Sequence, residues 1–554
     1  MGTGLVLAVC TAATVYLQTQ GTASAAPDTV VSVDFGKVIA QSPPENFGVT
    51  FSTFAVDGGP VAKSPDDIAA LRGLGVGGVR VHLKPDGRGG VVSGAGGGDT
   101  SVTGDEWVSA IERIGAEPTV IVNTDPGDAL AVLNYLNQHG HHVNRFIIGN
   151  EMDANSKSNL PADQYTSAFR QIAARMRQVT PDLEIGGPAP AYFAEDLLRT
   201  FIDGAVRDAS PQERASFIDF HAYGAGNGEN ATVASSTRYI GQLDKLRAML
   251  GDAGKDVGLQ LGEFNMNWGD ESQNNTHFAS VWVANALGSI VTRGATAFVY
   301  ADKNNAMGVI GPHGTPKASY VGMEMFTGNP QGLRHFGRDV VQASSNNPNV
   351  QAYASNNEAN IVLVNTGEAG QTRIDLAGAV RGSVDIWQSQ GALAAVNRPV
   401  RTGTADISDG HVTVSLPPLS ITTVVVNGLV PSPSGTTTAP TSPGSSGTPT
   451  TSSTSAPAVP PSGPSGASGS PPAPSSTGPA ASPSAPGTTG HPGTTAAPGT
   501  PVPPASGEPR SQLPALGDPR WRNQGTATVD GGGAGLTRTD PRCAAGSVYY
   551  ETPV

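Results

Sequence analysis

The feature that most restricts the fold of this chain is a pattern that repeats eight times between residues 47 and 326. In each repeat, a short apolar run without polar alternation is followed by a segment with helix-forming signals. Strands that are apolar on both faces belong to parallel sheets that helices cover on both sides. The predicted strands are Phe47–Phe54, Gly78–Leu83, Pro118–Asn123, Val143–Glu151, Glu184–Ala189, Phe217–Tyr223, Val257–Asn265 and Thr296–Ala301.

Eight strand–helix units over this length predict the α/β class and a (β/α)8 TIM barrel, which we assign to residues 27–332. The start of the first helix is marked by Ser64 as the N-cap, Pro65 as the first helical residue and acidic residues at the positive helix end. An open doubly wound sheet is the alternative fold. No glycine-rich phosphate-binding loop follows the first strand to support it.

From about Leu333 the spacing of apolar residues changes to two, which is typical of half-buried antiparallel strands. This pattern predicts an antiparallel β-sandwich over residues 333–428. The isolated strand at residues 29–35 is expected to pair with it. The predicted strands are Val350–Ala354, Ala359–Asn365, Thr372–Leu376, Ser383–Trp387, His411–Leu416 and Ile421–Val426.

The two ends of the chain differ in composition from the globular part. Residues 1–26 combine an apolar run with the small-x-small sequence Ala23-Ser24-Ala25, and they predict a signal peptide and a secreted protein. Residues 429–508 consist almost entirely of Pro, Ser, Thr, Gly and Ala, which predicts a disordered linker. Residues 509–554 resemble the opening strands of legume-lectin-like sandwiches. We expect them to be a fragment of a carbohydrate-binding or lectin-like module.

Charge and cysteine content exclude several classes of function. The net charge of −13 and the pI near 5.2 argue against nucleic acid and anionic membranes as partners. Only Cys10 and Cys543 occur, so neither a disulfide framework nor a thiolate metal site can form. The histidines lack metal-ligand spacing, and no Gly-x-Ser-x-Gly elbow or Walker loop occurs. We expect no metal, no cofactor, no membrane contact after removal of the signal peptide, and a monomer.

Two glutamates end predicted strands on opposite sides of the expected barrel. Glu151 follows Asn150 at the end of the fourth strand, and Glu263 lies near the end of the seventh. Residues at the carboxyl ends of barrel strands line the catalytic rim, so both carboxylates should face the barrel mouth. Retaining glycosidases need two carboxyl groups about 5–5.5 Å apart, one to attack the anomeric carbon and one to protonate the leaving oxygen. The pair therefore predicts a glycosidase.

The motifs around these glutamates resemble glycoside hydrolase clan A, in particular its families 39, 51 and 79 and their relatives. The resemblance extends over residues 29–428 and rests on Asn150-Glu151, Ile185-Gly186-Gly187-Pro188, His221-Ala222-Tyr223 and Glu263-Phe264-Asn265. It implies a barrel with an appended sandwich and a retaining glycosidase that acts by double displacement.

The resemblance also implies individual roles. Glu151 would be the general acid/base and Glu263 the nucleophile, while Asn150 would hydrogen-bond the 2-hydroxyl of the sugar. Tyr223 would steady the nucleophile, and Arg80 would keep it ionised, because a nearby cation lowers the pKa of a carboxylate. Two alternatives stay open: Arg80 is only an ion-pair partner at the rim, and Tyr223 and His221 are only packed rim residues.

Strand eight departs from the clan pattern, in which a Trp often forms a platform for the sugar. This chain has Tyr300 there. Trp268, shortly after Glu263, is the alternative stacking residue, because aromatic faces suit the apolar face of a pyranose. Trp282 is expected in the core. The predicted substrate-binding residues are Arg80, Asn150, His221, Tyr223, Asn265, Trp268 and Tyr300.

These observations predict a secreted retaining glycoside hydrolase that cleaves O-glycosidic bonds of a polysaccharide or oligosaccharide. The alternative is a non-catalytic carbohydrate-binding or wall-associated protein on a degenerate barrel. The linker and the lectin-like segment fit both, but the presence of both glutamates together with Asn150 favours the enzyme. The sequence leaves open the sugar, the linkage and the choice between exo and endo action.

Overall fold

The computed structural model describes residues 29–428 apart from residues 55, 96–97, 154–159, 227, 270, 305, 378–380 and 392–395, and it also describes residues 527–529 and 536–538. The chain divides into two units, residues 1–442 and residues 443–554. The predicted signal peptide and linker, and most of the predicted C-terminal module, lie outside the described residues. Among the described helices, none is long and apolar enough to cross a membrane.

A closed barrel of parallel strands forms the larger part of the first unit. The chain begins with β1 (Thr29–Gln41) and continues with β2 (Phe47–Thr50), β3 (Gly78–Pro85), β4 (Val91–Ser93), β5 (Glu117–Val122), β6 (Arg145–Ile148), β7 (Glu184–Pro188), β8 (Phe217–His221), β9 (Gly258–Phe264) and β10 (Ala295–Tyr300). The barrel order is β2-β10-β9-β8-β7-β6-β5-β3, and pairing of β2 with β3 closes it. The short strand β4 extends the barrel by pairing antiparallel with β3.

Helices connect the barrel strands and cover them from outside. They are α1 (Pro65–Gly73), α2 (Gly104–Ile114), α3 (Pro126–Gln138), α4 (Ala162–Val179), α5 (Glu195–Ile202), α6 (Val233–Leu250), α7 (Glu271–Asn274), α8 (His277–Val291) and α9 (Ala318–Thr327). The predicted start of α1 is confirmed, since the Ser64 side chain accepts a hydrogen bond from the Asp67 backbone N–H. The predicted TIM barrel is confirmed, and the doubly wound alternative is wrong because the sheet closes.

Alternation along several barrel strands packs apolar side chains outward under the helices and directs polar side chains into the barrel. On β3, Val79 and Val81 belong to the large core beneath the helices, so the intervening Arg80 points into the barrel. On β8, Ile218 and Phe220 pack outward in the same way, so Asp219 and His221 point inward. The barrel strands therefore place ionisable and polar side chains on the inner wall of the barrel, toward one rim.

A second, mostly antiparallel sheet follows the barrel. It contains β1 and eight later strands: β11 (Asp339–Ser345), β12 (Val350–Asn356), β13 (Asn360–Asn365), β14 (Gly370–Ala377), β15 (Gly382–Ser389), β16 (Val400–Ile407), β17 (His411–Leu416) and β18 (Ser420–Asn427). The order is β16-β15-β18-β13-β12-β11-β1-β14-β17. The edge strands β16 and β17 are consecutive in sequence, so the sheet folds back on itself around its own apolar core.

The N-terminal strand β1 lies inside this sheet, antiparallel to β11 and parallel to β14. Two strands, β11 and β16, are absent from the sequence-based prediction. In β16 seven of eight residues are exposed or only partly buried, so that strand carries no buried apolar alternation to detect. The remaining six strands coincide with the predicted runs.

The sandwich packs directly on two barrel helices. In α9 every residue is buried, and in α8 every residue except Phe278 is buried, because barrel strands lie on one side and the sandwich on the other. All six residues of β13 are buried for the same reason. Polar contacts cross this contact surface as well, among them Tyr353 Oη to the Asn285 side chain at 2.7 Å and Thr423 Oγ1 to the Met325 carbonyl at 2.8 Å.

In the second unit the described residues form one antiparallel pair of short strands, β19 (Ala527–Val529) and β20 (Leu536–Arg538). The prediction of a carbohydrate-binding or lectin-like fragment at residues 509–554 stays a prediction.

Candidate active site

The rim of the barrel brings six of the predicted site residues together. Arg80 comes from β3, Asn150 and Glu151 directly follow β6, and Glu263 lies on β9. His221 ends β8, and Tyr223 follows two residues later. These side chains form one connected network of hydrogen bonds and ion pairs.

The turn after β6 holds Glu151 in an unusual backbone conformation. Gly149 has a φ of 78° and Glu151 a φ of 49°, and both values lie in the left-handed region. Residues other than glycine rarely adopt that region, and such strain is concentrated at functional sites. The backbone N–H of Glu151 donates to the Ala189 carbonyl at 2.9 Å, which ties the turn to the end of β7.

A β-bulge in β9 turns Glu263 toward the barrel mouth. Leu259 and Leu261 pack in the outer core, so strict alternation would also direct Glu263 outward. Leu261 pairs with Ala297, and Phe264 pairs with Val299. An advance of three residues along β9 therefore matches an advance of two residues along β10. The extra residue reverses the alternation, and bulges commonly redirect a side chain next to an active site.

Gly262 occupies this bulge, and its lack of a side chain is required there. A Cβ atom at Gly262 would lie 2.4 Å from Oδ1 of Asp219 on the neighbouring strand. A side chain at position 262 would therefore require the buried side chain of Asp219 to move. The bulge and the direction of Glu263 thus depend on the packing of Gly262 against Asp219.

Arg80 links the two sides of the site. Its guanidinium is completely buried, and Nη1 donates to Oε1 of Glu263 at 2.6 Å. Nη2 donates to Oδ1 of Asn150 and to Nε2 of His221 at 2.9 Å. Because arginine can only donate, Nε2 of His221 must accept. The imidazole proton therefore lies on Nδ1, which donates to Oε1 of Glu151 at 2.8 Å.

The surroundings keep Glu263 ionised. Burial on its own raises the pKa of Glu263, but the charge of Arg80 and the hydrogen bonds from Tyr223 and Arg80 act in the opposite direction, and the pKa lies below its usual value. Tyr223 Oη donates to Oε2 at 2.7 Å. The side chain of Glu263 is only 9% exposed, whereas that of Glu151 is 32% exposed. Glu263 is therefore a shielded anion, and Glu151 is reached by solvent.

The two carboxylates lie close enough to act on one bond. One oxygen of Glu151, one oxygen of Glu263 and one ring nitrogen of His221 all lie within 4.8 Å of one another. Among the described residues, these three are the group of His, Cys, Asp or Glu side chains whose ligand atoms lie close enough together to hold a metal ion. Arg80 already supplies a positive charge at Glu263 and occupies Nε2 of His221. The two carboxylates are therefore linked to each other through the guanidinium of Arg80 and the imidazole of His221.

The site opens into a cavity of about 770 Å3 at the barrel mouth. Its walls include Arg80, Asn150, Glu151, Glu263 and Tyr300, together with His82, Asn123, Thr50 and Phe54. Tyr300 thus lies on the cavity wall, and its ring contacts that of Tyr223 edge to face at 6.4 Å between centroids.

His82 and Asn123 are site residues that the sequence-based reasoning missed. Burial lowers the pKa of His82 to about 4, so the imidazole is neutral at pH 7. Its Nε2 lies 3.3 Å from Oδ1 of Asn123, whose amide donates to Asp128 at 3.0 Å. The signal was available in the sequence: His82 follows Arg80 at a spacing of two on one strand, and Asn123 ends the next barrel strand.

Asn265 is not placed on the cavity, contrary to the sequence-based expectation. It is completely buried, and its amide donates to the carbonyls of Tyr300 at 2.6 Å and Met307 at 2.8 Å. Its carbonyl accepts from the backbone N–H of Met266 at 2.7 Å. These bonds use its polar atoms to fasten the loop after β10, so Asn265 supports the rim and does not face a ligand.

Trp268 also lies outside the cavity at the barrel mouth. It is 47% exposed and lines a neighbouring cleft with Tyr223. Trp282 was expected in the core. It is buried there, and its indole N–H donates to the Thr232 carbonyl.

Comparison with solved structures identifies the same architecture in glycosidases. An α-L-arabinofuranosidase from Thermotoga maritima superimposes with a TM-score of 0.58 at 18% identity and covers 72% of this chain and 100% of its own. A family 51 α-L-arabinofuranosidase from Bifidobacterium longum gives 0.58 at 17%, with 73% and 100% covered. A xyloglucanase of glycoside hydrolase family 44 from Paenibacillus polymyxa gives 0.54 at 13%, with 72% and 100% covered.

At these identities the comparison shows the fold that this chain shares with the three enzymes. No protein-family model and no curated protein matches the sequence.

Proposed function

We propose that this protein is a secreted retaining glycoside hydrolase of clan A that cleaves O-glycosidic bonds of a polysaccharide or oligosaccharide. The observation that carries the proposal is the spacing of the two carboxylates, whose oxygens approach within 4.8 Å. Retaining enzymes hold their carboxyl groups about 5–5.5 Å apart, whereas inverting enzymes need about 6.5–9.5 Å to admit a water molecule. The spacing at Glu151 and Glu263 fits the retaining class.

The environments of the two carboxylates assign their roles in a double displacement. Glu263 is anionic and shielded, so one of its oxygens attacks the anomeric carbon while Glu151 gives a proton to the leaving oxygen. Glu151 then takes a proton from a water molecule, which attacks the glycosyl–enzyme ester and releases Glu263. Two inversions return the anomeric centre to its original configuration.

The remaining network residues act on these two groups. Arg80 and Tyr223 hold the nucleophile in place through one hydrogen bond to each of its oxygens. His221 binds Glu151 through Nδ1–H and orients its carboxylate toward the leaving oxygen. Asn150, held by Arg80, lies at the cavity wall where it can hydrogen-bond a sugar hydroxyl next to the reacting carbon.

The solved structures with this fold suggest which sugars to try first. Their descriptions name α-L-arabinofuranosidases, a bifunctional glucanase–xylanase, a xyloglucanase and a glucosidase. We therefore choose α-L-arabinofuranosyl, β-D-xylosyl and β-D-glucosyl compounds as test substrates for the catalytic cavity.

The experiment incubates the full chain with the 2-deoxy-2-fluoro glycosyl fluorides of these sugars, followed by peptide mass spectrometry. A retaining enzyme forms a covalent ester that hydrolyses slowly, so we expect a glycosyl adduct on Glu263 and none in Glu263→Ala. Failure of the folded protein to form an adduct or to hydrolyse any glycan of a broad panel, with glycan binding intact, would instead establish the non-catalytic carbohydrate-binding alternative.

Azide separates the roles of the two glutamates. We expect Glu151→Ala to lower kcat by about 10²–10⁴-fold on substrates with poor leaving groups, because general acid catalysis contributes about that factor. Azide should restore its turnover with a glycosyl azide of retained configuration, and the azide formed by Glu263→Ala should have inverted configuration. Glu117→Ala, which changes an exposed glutamate at the opposite end of the barrel, is the control. Full activity of Glu151→Ala or Glu263→Ala would refute the assignment.

A further inference from the structure

A second cleft adjoins the catalytic cavity along the loops after β7, β8 and β9. It encloses about 470 Å3 and is lined by Tyr192, Tyr223, Arg238, Gln242 and Trp268, among others. The roles proposed above for the catalytic residues do not involve this cleft. Its lining combines aromatic rings with polar groups, which is the composition of a carbohydrate-binding surface.

The aromatic side chains of this cleft are unusually exposed. Tyr192 is 61% exposed and Trp268 is 47% exposed. Among the described residues, the only other aromatic side chain with comparable exposure is Phe54, which lines the catalytic cavity. Exposed aromatic rings are therefore concentrated at the catalytic rim. Exposed large apolar groups that cluster at one place mark a binding surface.

The indole of Trp268 packs against the loop after β8. A Cβ atom on Gly226 would lie only 1.7 Å from its Nε1, so the ring rests directly against the Gly226 backbone. The backbone N–H of Trp268 donates to the Ala225 carbonyl at 3.2 Å. A ring that already packs against the backbone loses less conformational entropy when a ligand stacks on its exposed face.

The cleft also offers an unused hydrogen-bond acceptor. Oε1 of Gln242 is buried and has no partner among the described residues, although a buried polar atom normally has one. Oε1 itself is closed to solvent, but the Gln242 side chain lines the cleft, so a turn of its amide would present a hydrogen-bonding group to a ligand hydroxyl. A ligand with hydroxyl groups and a flat apolar face matches both the acceptor and the rings.

Two connections join the cleft to the catalytic pair. Tyr223 lines the cleft and donates to Glu263, and its ring touches Tyr300 on the wall of the catalytic cavity. On the other side, Asp153 accepts a hydrogen bond at 2.9 Å from the backbone N–H of Ala191, next to Tyr192. The loop that carries Tyr192 is thus tied to the turn that carries Glu151, the group that protonates the leaving oxygen.

We propose that this cleft binds the sugar residue on the leaving-group side of the cleaved bond, with Tyr192 and Trp268 as stacking surfaces and Gln242 as a hydroxyl acceptor. The inference rests on the proposed function and narrows its substrate to a glycan that continues beyond the cleaved bond. Small glycosides would fill the catalytic cavity and leave the cleft empty.

The test compares two kinds of substrate in the full-length protein. Glycosyl fluorides of arabinofuranose, xylose and glucose place only a fluoride on the leaving-group side, so they report on the catalytic cavity alone. Arabino-, xylo- and cello-oligosaccharides from disaccharide to hexasaccharide occupy the cleft as well. The variants are Trp268→Ala, Tyr192→Ala and the conservative Trp268→Phe, with Val400→Ala on the exposed surface of β16 as the control.

We expect Trp268→Ala and Tyr192→Ala each to lower kcat/KM for the accepted oligosaccharide by about tenfold, which is the size of one lost aromatic contact. Turnover of the matching fluoride should be unchanged, and Trp268→Phe should recover most of the loss. Equal kcat/KM of variants and parent on the oligosaccharide would overturn the cleft proposal and leave the catalytic one standing. A parent protein that hydrolyses neither substrate would overturn both.

Discussion

The two glutamates at the barrel mouth have identical side chains, but individual contacts give them different surroundings. Glu263 receives hydrogen bonds on both oxygens, from Arg80 and from Tyr223, and it is nearly closed to solvent. Glu151 receives one contact from His221 and is partly exposed. Arg80 is completely buried and bonds three site residues, so it is more than a rim ion-pair partner.

The first prediction at the residue scale concerns Tyr223→Phe. Loss of the phenol removes a hydrogen bond to the charged form of Glu263, so the pKa of that carboxylate should rise. A hydrogen bond to a charged group contributes about 1.5–3 kcal/mol, which corresponds to a shift of about one pH unit or more. The acidic limb of the kcat/KM profile should move upward by that amount. An unchanged acidic limb would show that the phenol does not control the ionisation of Glu263.

The second prediction at this scale concerns Asp302, which is buried behind the rim. Burial raises its pKa from 3.8 to about 8, against the opposing effects of hydrogen bonds from Ser52 and Lys303. Between these values the folded state holds a proton that the unfolded state has released. The free energy of unfolding should therefore fall as the pH rises through this range.

Asp302→Asn keeps an acceptor for the Ser52 backbone N–H, which lies 2.6 Å from Oδ1, and removes the titration. Its free energy of unfolding should decline less than that of the parent between about pH 5 and about pH 8. Urea unfolding at several pH values measures this difference. Parallel pH dependences in the two proteins would contradict it.

At the scale of elements, the bulge in β9 determines where the side chain of Glu263 points. Gly262→Ala places a methyl group where Asp219 already lies, 2.4 Å from its Oδ1. We expect about 1–3 kcal/mol of destabilisation, as for other overpacked sites, together with a fall in kcat because Glu263 is displaced. Denaturant unfolding and steady-state kinetics measure the two effects.

Gly241→Ala is the matched control for this change. Gly241 lies within α6, and a Cβ atom there meets nothing within 4 Å. Alanine is favoured over glycine inside a helix by about 1 kcal/mol, so this variant should be slightly more stable and fully active. If Gly262→Ala behaved like Gly241→Ala, the bulge would not require glycine.

At the scale of the whole molecule, barrel and sandwich share one contact surface through α8, α9, β13 and β18. Glu324 on α9 is 1% exposed, and Arg398 from the sandwich binds both of its oxygens at 2.5 Å. Arg398→Met leaves a buried carboxylate without its cation. Because Arg398 itself is partly exposed, we expect a loss of about 2 kcal/mol, below the 3–5 kcal/mol of a completely buried pair.

Calorimetry tests this prediction and the cooperativity of the two parts together. In the parent, the barrel and the sandwich should unfold in one transition. The reason is that every residue of α9 is buried between the two parts, so neither can unfold without exposing it. Arg398→Met should lower the transition temperature. Arg401→Met, which breaks an ion pair with Asp385 on the sandwich surface, should lower it much less. If both variants lowered the transition temperature equally, burial of Glu324 would not make its ion pair more important for stability than an exposed one.

Much of the fold and the central part of the candidate site were predictable from local patterns. The eight apolar runs predict the barrel because a strand buried on both faces needs apolar residues at every position. Glu151 and Glu263 were predictable because strand ends in a barrel converge on one rim. The exposed strand β16 lacks a buried face, so no apolar period marks it.

The side-chain roles were less predictable. Asn265 follows Glu263 closely in sequence, yet its amide is used by the carbonyls of Tyr300 and Met307. Trp268 was expected to stack on the sugar next to Glu263, but it lines the adjoining cleft. Spacing along the chain predicts which rim a residue reaches, but competition between hydrogen-bond partners from distant loops decides which way it faces.

The sequence by itself determined the order of strands and helices, the identity of the two carboxylates and their placement at one end of a barrel, because these follow from local periodicity and from the parallel arrangement of strands. Only the tertiary structure showed that a bulge turns Glu263 to the mouth, that Arg80 joins both halves of the site and that a second cleft adjoins it. Those features depend on a bulge, on burial and on contacts between residues far apart in the chain, and no local pattern encodes them.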